Sequence, residues 1–204
     1  VNIGNTFDYP SMHGNTLAQM GISYVSTSIN AIESLEPYTL VDIIMGKEKG
    51  EKTDTIGCIP MHLRNAIETY TEQGGKILLA GSYIASDMRH TCDTAFTHNV
   101  LHYRYKTEKA STCGRINFQY NILPTQQYEY YTKPNPQVIE CEWPDGIEPM
   151  TGGVRIARYD DTYVNAGVAY RDDKNRMIIL PFMLESVKDF DALYSNCIKW
   201  LNND

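Results

Sequence analysis

The sequence lacks the features that would place it in a membrane or on a nucleic acid. Its longest apolar stretch, residues 177–184 with one proline inside, is far shorter than the roughly 20 residues of a membrane-spanning helix. Lys and Arg number 18 against 25 Asp and Glu, a net charge of −7, and no basic run occurs. Because a phosphate backbone requires clustered cations, we expect neither a nucleic-acid partner nor a membrane span.

Signals for metals, nucleotides and a fixed disulfide pattern are also missing. The cysteines stand singly, without a C-x-x-C pair, so we expect no structural metal site. Their odd number leaves at least one thiol free, while one or two disulfides stay open. The phosphate-binding patterns G-x-G-x-x-G and G-x-x-x-x-G-K-[ST] do not occur, so we expect no nucleotide cofactor. The cysteines are Cys58, Cys92, Cys113, Cys141 and Cys197.

What is present is typical of one globular domain over residues 1–204. Apolar residues make up 42% and charged residues 21%, an ordinary balance for a folded domain of this length. The first residue is Val1, so we expect a processed chain or a fragment that lacks an upstream strand. Tyrosine is abundant, 15 against 5 Phe, which fits either a sugar- or partner-binding face or half-buried strand positions.

Hydrophobic periodicity predicts a parallel βαβ unit. Residues 40–45 and 76–80 form two apolar runs, and between them a helix opens at Pro60 and ends at Gly74-Gly75. A strand over residues 176–181 and a helix that begins near Asp189 repeat this arrangement. Such crossovers favour parallel pairing, so the sequence predicts a mainly parallel α/β sheet.

The remaining segments have a different pattern. Residues 2–14 are rich in turn formers and predict a loop, followed by a short helix over 15–20 and a strand over 22–26. Alternating runs within residues 103–175 predict antiparallel strands laid against the parallel sheet. Six tyrosines between residues 103 and 131 favour an interaction surface, and these are Tyr103, Tyr105, Tyr120, Tyr128, Tyr130 and Tyr131.

The strand over 76–80 places Ser82 where a nucleophile stands in hydrolases with this kind of sheet. The G-x-S-x-G turn is incomplete, because Ala80 and Ile84 replace its glycines. A base must lie within hydrogen-bond reach, and His13 is the histidine whose loop can approach that edge, with Asp87 or Glu185 in support. The alternatives are local hydrogen bonds for Ser82 and capping of the following helix for Glu185.

Two further groups are candidates for ligand contact. The front segment N-T-F-D-Y-P-x-x-H-G concentrates hydrogen-bonding side chains, among them Asn5, Asp8 and Tyr9. Tyr83 and Asp87 follow Ser82 in the same predicted loop. Asn and Asp also make local backbone turns, so a structural role stays open for them.

Several segments resemble a known family. Y-T-L-V-D-I-I-M-G, E-Q-G-G-K-I-L-L-A-G-S-Y-I-A-S-D-M and M-I-I-L-P-F-M-L-E-S resemble class I glutamine amidotransferase-like domains. With G-N-T-F-D-Y-P-S-M-H-G, they resemble more closely the flavodoxin-like domain of exported Bacteroidetes proteins that carry a golvesin-type module and are named xanthan lyase or amidase relatives. The resemblance implies a three-layer α/β/α fold and export to the periplasm, cell surface or exterior.

The family's catalytic residues are not matched. Ser82 stands at the place of the nucleophilic cysteine, and Met183 stands where the family has a histidine two residues before Glu185. The glutaminase triad is therefore not expected. Three functions stay open: binding of a carbohydrate or cell-wall fragment at the carboxyl edge of the sheet, hydrolysis by Ser82 with His13, and a structural module that packs on neighbouring domains.

Overall fold

A computed structural model describes residues 8–50, 57–91, 93–134, 136, 138 and 140–203. Its α-helices are α1 (Tyr9–Gln19), α2 (Met61–Glu72) and α3 (Phe190–Asn202). Its strands are β1 (Val41–Gly46), β2 (Lys76–Gly81), β3 (Tyr103–Thr107), β4 (Arg115–Phe118), β5 (Gln126–Glu129), β6 (Gly146–Pro149), β7 (Val154–Tyr159), β8 (Asn165–Arg171) and β9 (Arg176–Leu180).

Seven strands form one sheet in the order β1-β2-β9-β8-β7-β4-β5, and β3 pairs with β6 in a separate two-stranded sheet. The predicted β1-α2-β2 unit is confirmed, since β1 and β2 pair in parallel with Val41 opposite Ile77. Pro60 precedes α2, and Gly74 follows it with a φ of +96°, a left-handed conformation that favours glycine. β9 extends the parallel part by pairing with β2.

The expectation of a mainly parallel sheet is wrong. β9 pairs antiparallel with β8, β8 with β7, β7 with β4 and β4 with β5. The connections from β7 to β8 and from β8 to β9 are short, and short connections join antiparallel neighbours. The antiparallel strands predicted within residues 103–175 therefore make up more of the sheet than expected.

Both faces of the parallel strands are buried. Along β2, Leu78 and Ala80 pack into a core with α1 and α3, while Ile77 and Leu79 pack into a second core with α2 and the β3-β6 pair. This alternation follows from the two-residue period of a strand. The fold is a mixed α/β fold, and none of the described helices is long and apolar enough to cross a bilayer.

The front of the chain differs from the prediction. α1 begins at Tyr9, inside the predicted loop, because Asp8 caps it by accepting from the Ser11 amide at 3.1 Å and Pro10 suits the first turn. Gly21 ends the helical region with a φ of +74°, as expected. The predicted strand over 22–26 is not formed within the described residues, since no neighbouring strand pairs with it.

The tyrosine cluster does not form the expected surface. Tyr103, Tyr128 and Tyr130 are buried in the two cores, and Tyr120 is the one of the six that is largely exposed, at 42%. The alternative interpretation of the tyrosine excess, that these residues fill buried or half-buried strand positions, accounts for more of the six than an interaction surface does. All four described cysteines, Cys58, Cys113, Cys141 and Cys197, are free thiols.

Candidate functional site

Ser82 lies at the carboxyl edge of β2, but it is completely buried. Its amide donates to the Gly46 carbonyl at 2.8 Å, and its Oγ lies 3.4 Å from Cys141 Sγ. Burial raises the pKa of the Cys141 thiol to about 11, so this neighbour is a neutral thiol at physiological pH and not a base. Ser82 therefore has neither solvent access nor an activating partner among the described residues.

The segment of residues 140–145 covers this edge. The Asp145 amide donates to the Pro181 carbonyl at 2.8 Å, beyond the end of β9. Asp145 Oδ2 accepts from the backbone amides of Ala85 and Ser86 at 2.9 and 2.6 Å. In acyl-transfer enzymes, free backbone amides near the nucleophile stabilise the oxyanion. Here the amides of the turn that follows Ser82 are bound to a carboxylate of the chain itself.

Asp145 is an unusual carboxylate. Burial raises its pKa to about 7, although the two backbone hydrogen bonds oppose that shift. Its Oδ1 is buried and has no hydrogen-bond partner in the described part of the chain. Nothing in the sequence E-C-E-W-P-D distinguishes this aspartate, so sequence reasoning missed it.

The structure does not bring Ser82 and His13 together. His13, on α1, places Nδ1 2.6 Å from Asp42 Oδ2 and Nε2 3.1 Å from Glu185 Oε1. Both ring nitrogens are therefore occupied by carboxylates. Asp42 was not among the sequence candidates, although a charged residue inside the apolar run L-V-D-I-I-M is a signal that could have identified it.

The surroundings of His13 make it a buried cation. Burial alone lowers the pKa of an imidazole, but Asp42 and Glu185 outweigh burial and raise it to about 9. The Tyr194 hydroxyl donates to Asp42 Oδ2 at 2.7 Å, and the Phe190 and Tyr194 rings lie 4.8 and 4.6 Å from the imidazole. The cluster joins α1, β1, α3 and the turn after β9, which indicates a structural role.

The other described candidates lie either at the start of α1 or at the carboxyl edge of the sheet. Asp8 caps α1, Tyr9 is buried in the core, and Asn5 lies outside the described residues. Tyr83 and Asp87 lie at the carboxyl edge, where Lys49 Nζ is 3.8 Å from the Tyr83 ring centroid and Asp87 Oδ2 accepts from the Gly50 amide at 2.9 Å. Tyr83 and Asp87 are half-buried, so they are the sequence candidates with accessible surface at the carboxyl edge, where Ser82 and Glu185 are completely buried.

Charged and aromatic groups continue along this edge. Lys47 pairs with Glu140 at 2.7 Å, and Trp143 is 37% exposed with Lys109 Nζ 3.7 Å from its ring. The described residues contain no group of three or more His, Cys, Asp or Glu side chains that could hold a metal ion. We call the surface of Lys47, Lys49, Tyr83, Asp87, Glu140 and Trp143 the edge surface.

An apolar cavity of about 350 Å³, separate from the edge surface, lies along the outer edge of β1. Its walls include α1, residues 22–27 and β1. Asp42 Oδ1 is buried and has no hydrogen-bond partner among the described residues.

No protein-family model and no curated protein matches the chain. Solved structures do. The chain is similar to a β-galactosidase from Rahnella sp. R3, with a TM-score of 0.60 and 16% identity over 91% of this chain and 26% of that one. It is similar to the exo-β-1,4-mannosidase Op5Man5 from an Opitutaceae bacterium, with a TM-score of 0.55 and 10% identity over 93% of this chain and 29% of that one.

The chain is also similar to a putative GMP synthase subunit from Thermoplasma acidophilum, with a TM-score of 0.56 and 14% identity over 98% of this chain and 91% of that one. The chain thus spans between a quarter and a third of the glycosidases and nearly the whole length of the GMP synthase protein. At these identities the similarity shows a shared α/β fold and nothing about activity.

Proposed function

We propose that this chain is a non-catalytic, glutamine amidotransferase-like domain of an exported protein, and that it binds a carbohydrate or cell-wall fragment at the edge surface. The proposal includes the three-layer, flavodoxin-like arrangement and kinship with the golvesin-type, xanthan lyase- or amidase-named proteins. Packing against neighbouring domains of a larger polypeptide is the alternative role for the same fold.

The non-catalytic part of the proposal rests on one observation: the position of the nucleophile, Ser82, is closed to solvent. Ser82 is completely buried against Cys141, and Asp145 occupies the amides of the following turn. A hydrolase that used Ser82 would need a base at hydrogen-bond distance and free oxyanion donors. His13, the expected base, is bound on both nitrogens to other carboxylates.

Two observations support a saccharide ligand. The edge surface combines aromatic rings, at Tyr83 and Trp143, with carboxylates and ammonium groups, at Asp87, Glu140, Lys47 and Lys49. Aromatic rings offer an apolar face to a sugar, and charged groups bind its hydroxyls. In addition, the fold is shared with chains named as a β-galactosidase and a β-mannosidase.

The test is an NMR titration of the protein with galacto-oligosaccharides, manno-oligosaccharides and a muropeptide. We expect saturable shifts at the amides of Tyr83 and Asp87, and roughly tenfold weaker binding in Tyr83→Ala because the aromatic face is lost. The matched control is Tyr163→Ala, at a tyrosine that is 70% exposed outside the edge surface.

Ser82→Ala adds a second control, since we expect it to bind saccharide as the wild type does. Absence of saturable shifts at the edge surface with all three ligands would contradict saccharide binding there. Equal losses of saccharide affinity in Tyr83→Ala and in the control Tyr163→Ala would also contradict saccharide binding at the edge surface. Turnover of an acyl or amide substrate that disappears in Ser82→Ala would overturn the non-catalytic part.

A further inference from the structure

Two arginines of β7 lie against one exposed tyrosine. The Cζ atoms of Arg155 and Arg158 are 5.7 and 5.8 Å from the ring centroid of Tyr120, which follows β4. At these distances the negative face of an aromatic ring attracts a guanidinium group. One tyrosine ring therefore contacts two guanidinium groups.

An irregularity in β7 explains why both arginines reach this ring. They are three positions apart, and in a regular strand residues at an odd spacing point to opposite faces of the sheet. The register of β7 against β8 shifts between Arg155 and Ala157 and again between Ala157 and Arg158. Such bulges re-aim side chains, here toward Tyr120.

Neither arginine has an anionic partner among the described residues. Within the described ranges, no carboxylate forms an ion pair or hydrogen bond with Arg155 or Arg158, and the Nε atom of each is buried without a partner. Asp160, the nearest carboxylate along β7, is bound by Arg115 and Asn117. Arg64 pairs with Asp93 and Arg104 with Glu148. Arg176, by contrast, donates to the Trp200 carbonyl and forms no ion pair among the described residues.

The chain has a net charge of −7, yet neither of these two arginines pairs with a carboxylate among the described residues. A bound anion would supply the missing counter-charge through the Nη atoms, since the Nε atoms have no exposed surface. Guanidinium groups bind carboxylates and sulfates through paired N–H···O bonds, which makes arginine the residue suited to this task.

We propose that Arg155, Arg158 and Tyr120 form a binding site for the carboxylate or sulfate group of an acidic sugar. The guanidinium groups bind the oxyanion, and the tyrosine ring, 42% exposed, borders the sugar. The oxyanion part stands on the geometry alone, whereas the sugar part rests on the saccharide-binding function proposed above.

This site is separate from the edge surface. β7 runs in the same direction as β2, because β8 is antiparallel to both β7 and β9, and β9 is parallel to β2. By register, Arg155 lies opposite Val168, Val168 lies opposite Ile179, and Ile179 lies opposite Leu79 of β2. The separation is therefore lateral: β9 and β8 lie between β7 and β2, the strand that leads into Ser82.

The experiment follows the arginine Nε–Hε signals by NMR at constant ionic strength. The probes are D-glucuronate, the neutral methyl glucoside and inorganic sulfate. We expect saturable shifts of the Arg155 and Arg158 signals with glucuronate and with sulfate, and none with methyl glucoside. Each of Arg155→Gln and Arg158→Gln is expected to weaken glucuronate binding roughly tenfold or more, because a charge-assisted pair is lost.

Two further variants complete the design. Arg89→Gln is the matched control, since Arg89 is exposed and its Cζ lies 4.4 Å from the centroid of the Tyr105 ring, one arginine on one ring. Tyr120→Asn removes the ring while accepting the left-handed φ of +74° at this position, and we expect it to weaken glucuronate more than sulfate.

The outcomes separate the parts of the proposal. The site would be contradicted by shifts that do not saturate with glucuronate or by equal shifts with methyl glucoside. It would also be contradicted if Arg89→Gln weakened glucuronate binding as much as Arg155→Gln and Arg158→Gln do. If the wild type and Tyr120→Asn bind glucuronate with equal affinity, and sulfate likewise, the Tyr120 ring does not contact the sugar and the sugar part of the proposal is contradicted. If glucuronate shifts the Arg155 and Arg158 signals while no oligosaccharide shifts the Tyr83 amide, the site at the arginines is supported and saccharide binding at the edge surface is contradicted.

Discussion

At the scale of the residue, His13 shows how position changes the role of a side chain. The sequence makes it the base expected for Ser82, yet the fold places its ring between Asp42 and Glu185. A buried imidazolium that binds two carboxylates is fully engaged and cannot accept a proton from a serine. Its contribution is to hold α1 against the sheet.

Replacing His13 by Gln is expected to destabilise the protein strongly. The variant leaves two buried carboxylates close together without a cation, a change that costs about 3–5 kcal/mol when one partner of a buried ion pair is removed. Urea unfolding at pH 7 measures the loss. His62→Gln is the control, because the exposed His62 makes a single side-chain hydrogen bond to the described residues, with the Ile29 carbonyl at 3.0 Å. It is expected to lose at most about 1 kcal/mol.

A loss in His13→Gln no larger than in His62→Gln would contradict a buried imidazolium.

At the scale of the element, the parallel strands follow from the sequence and the front of the chain does not. β1, β2 and β9 are buried on both faces, so each is a nearly continuous apolar run that can be predicted as a strand from composition alone. Residues 22–26 alternate as a strand should, but a strand is stable only when its backbone pairs. No described strand lies beside them, and the cavity along the outer edge of β1 takes that place.

β1 and β2 approach each other closely at their carboxyl ends, where Gly46 lies opposite Gly81. A Cβ on Gly81 would lie 2.5 Å from Met45 Cβ, well inside van der Waals contact. Since both strands are buried, the neighbours cannot move aside freely. We therefore expect Gly81→Ala to cost about 1–3 kcal/mol in unfolding free energy.

Thermal or urea unfolding measures that effect. The control is Gly21→Asn, at a left-handed position where a Cβ meets nothing within 4 Å and where Asn is tolerated, so stability close to the wild type is expected. Equal stability of Gly81→Ala and the wild type would show that the two strands are not packed this closely.

At the scale of the whole molecule, two buried groups with strongly raised pKa values contribute to the dependence of stability on pH. The folded protein raises the pKa of Asp145 from 3.8 to about 7 and that of His13 from 6.5 to about 9. A group whose pKa is raised by folding contributes stability that is complete below its unfolded pKa and is lost as the pH rises through its folded pKa. Both groups therefore make the protein less stable in alkali.

We expect the unfolding free energy to fall as the pH rises from 6 to 10, measured by urea titration at several pH values. Asp145→Asn should flatten the part of the curve between about pH 4 and 7, and His13→Gln the part between about pH 6.5 and 9. Asp172, whose pKa is lowered by hydrogen bonds from Asn175 despite burial, acts in the opposite sense and only in acid. Stability that rises from pH 6 to 10 would refute the assignment of His13, and a slope between pH 4 and 7 that is unchanged in Asp145→Asn would refute that of Asp145.

The amino-acid sequence was enough to predict the α/β class, the β1-α2-β2 unit, the last strand and the closing helix, because local periodicity and glycine or proline boundaries encode them. It also predicted the correct edge of the sheet for Ser82, Tyr83 and Asp87. Which side chains contact one another depends on the tertiary fold. Asp42, Asp145 and the pair Arg155 and Arg158 are far from their partners along the chain, and burial, bulges and long-range contacts are invisible to local pattern.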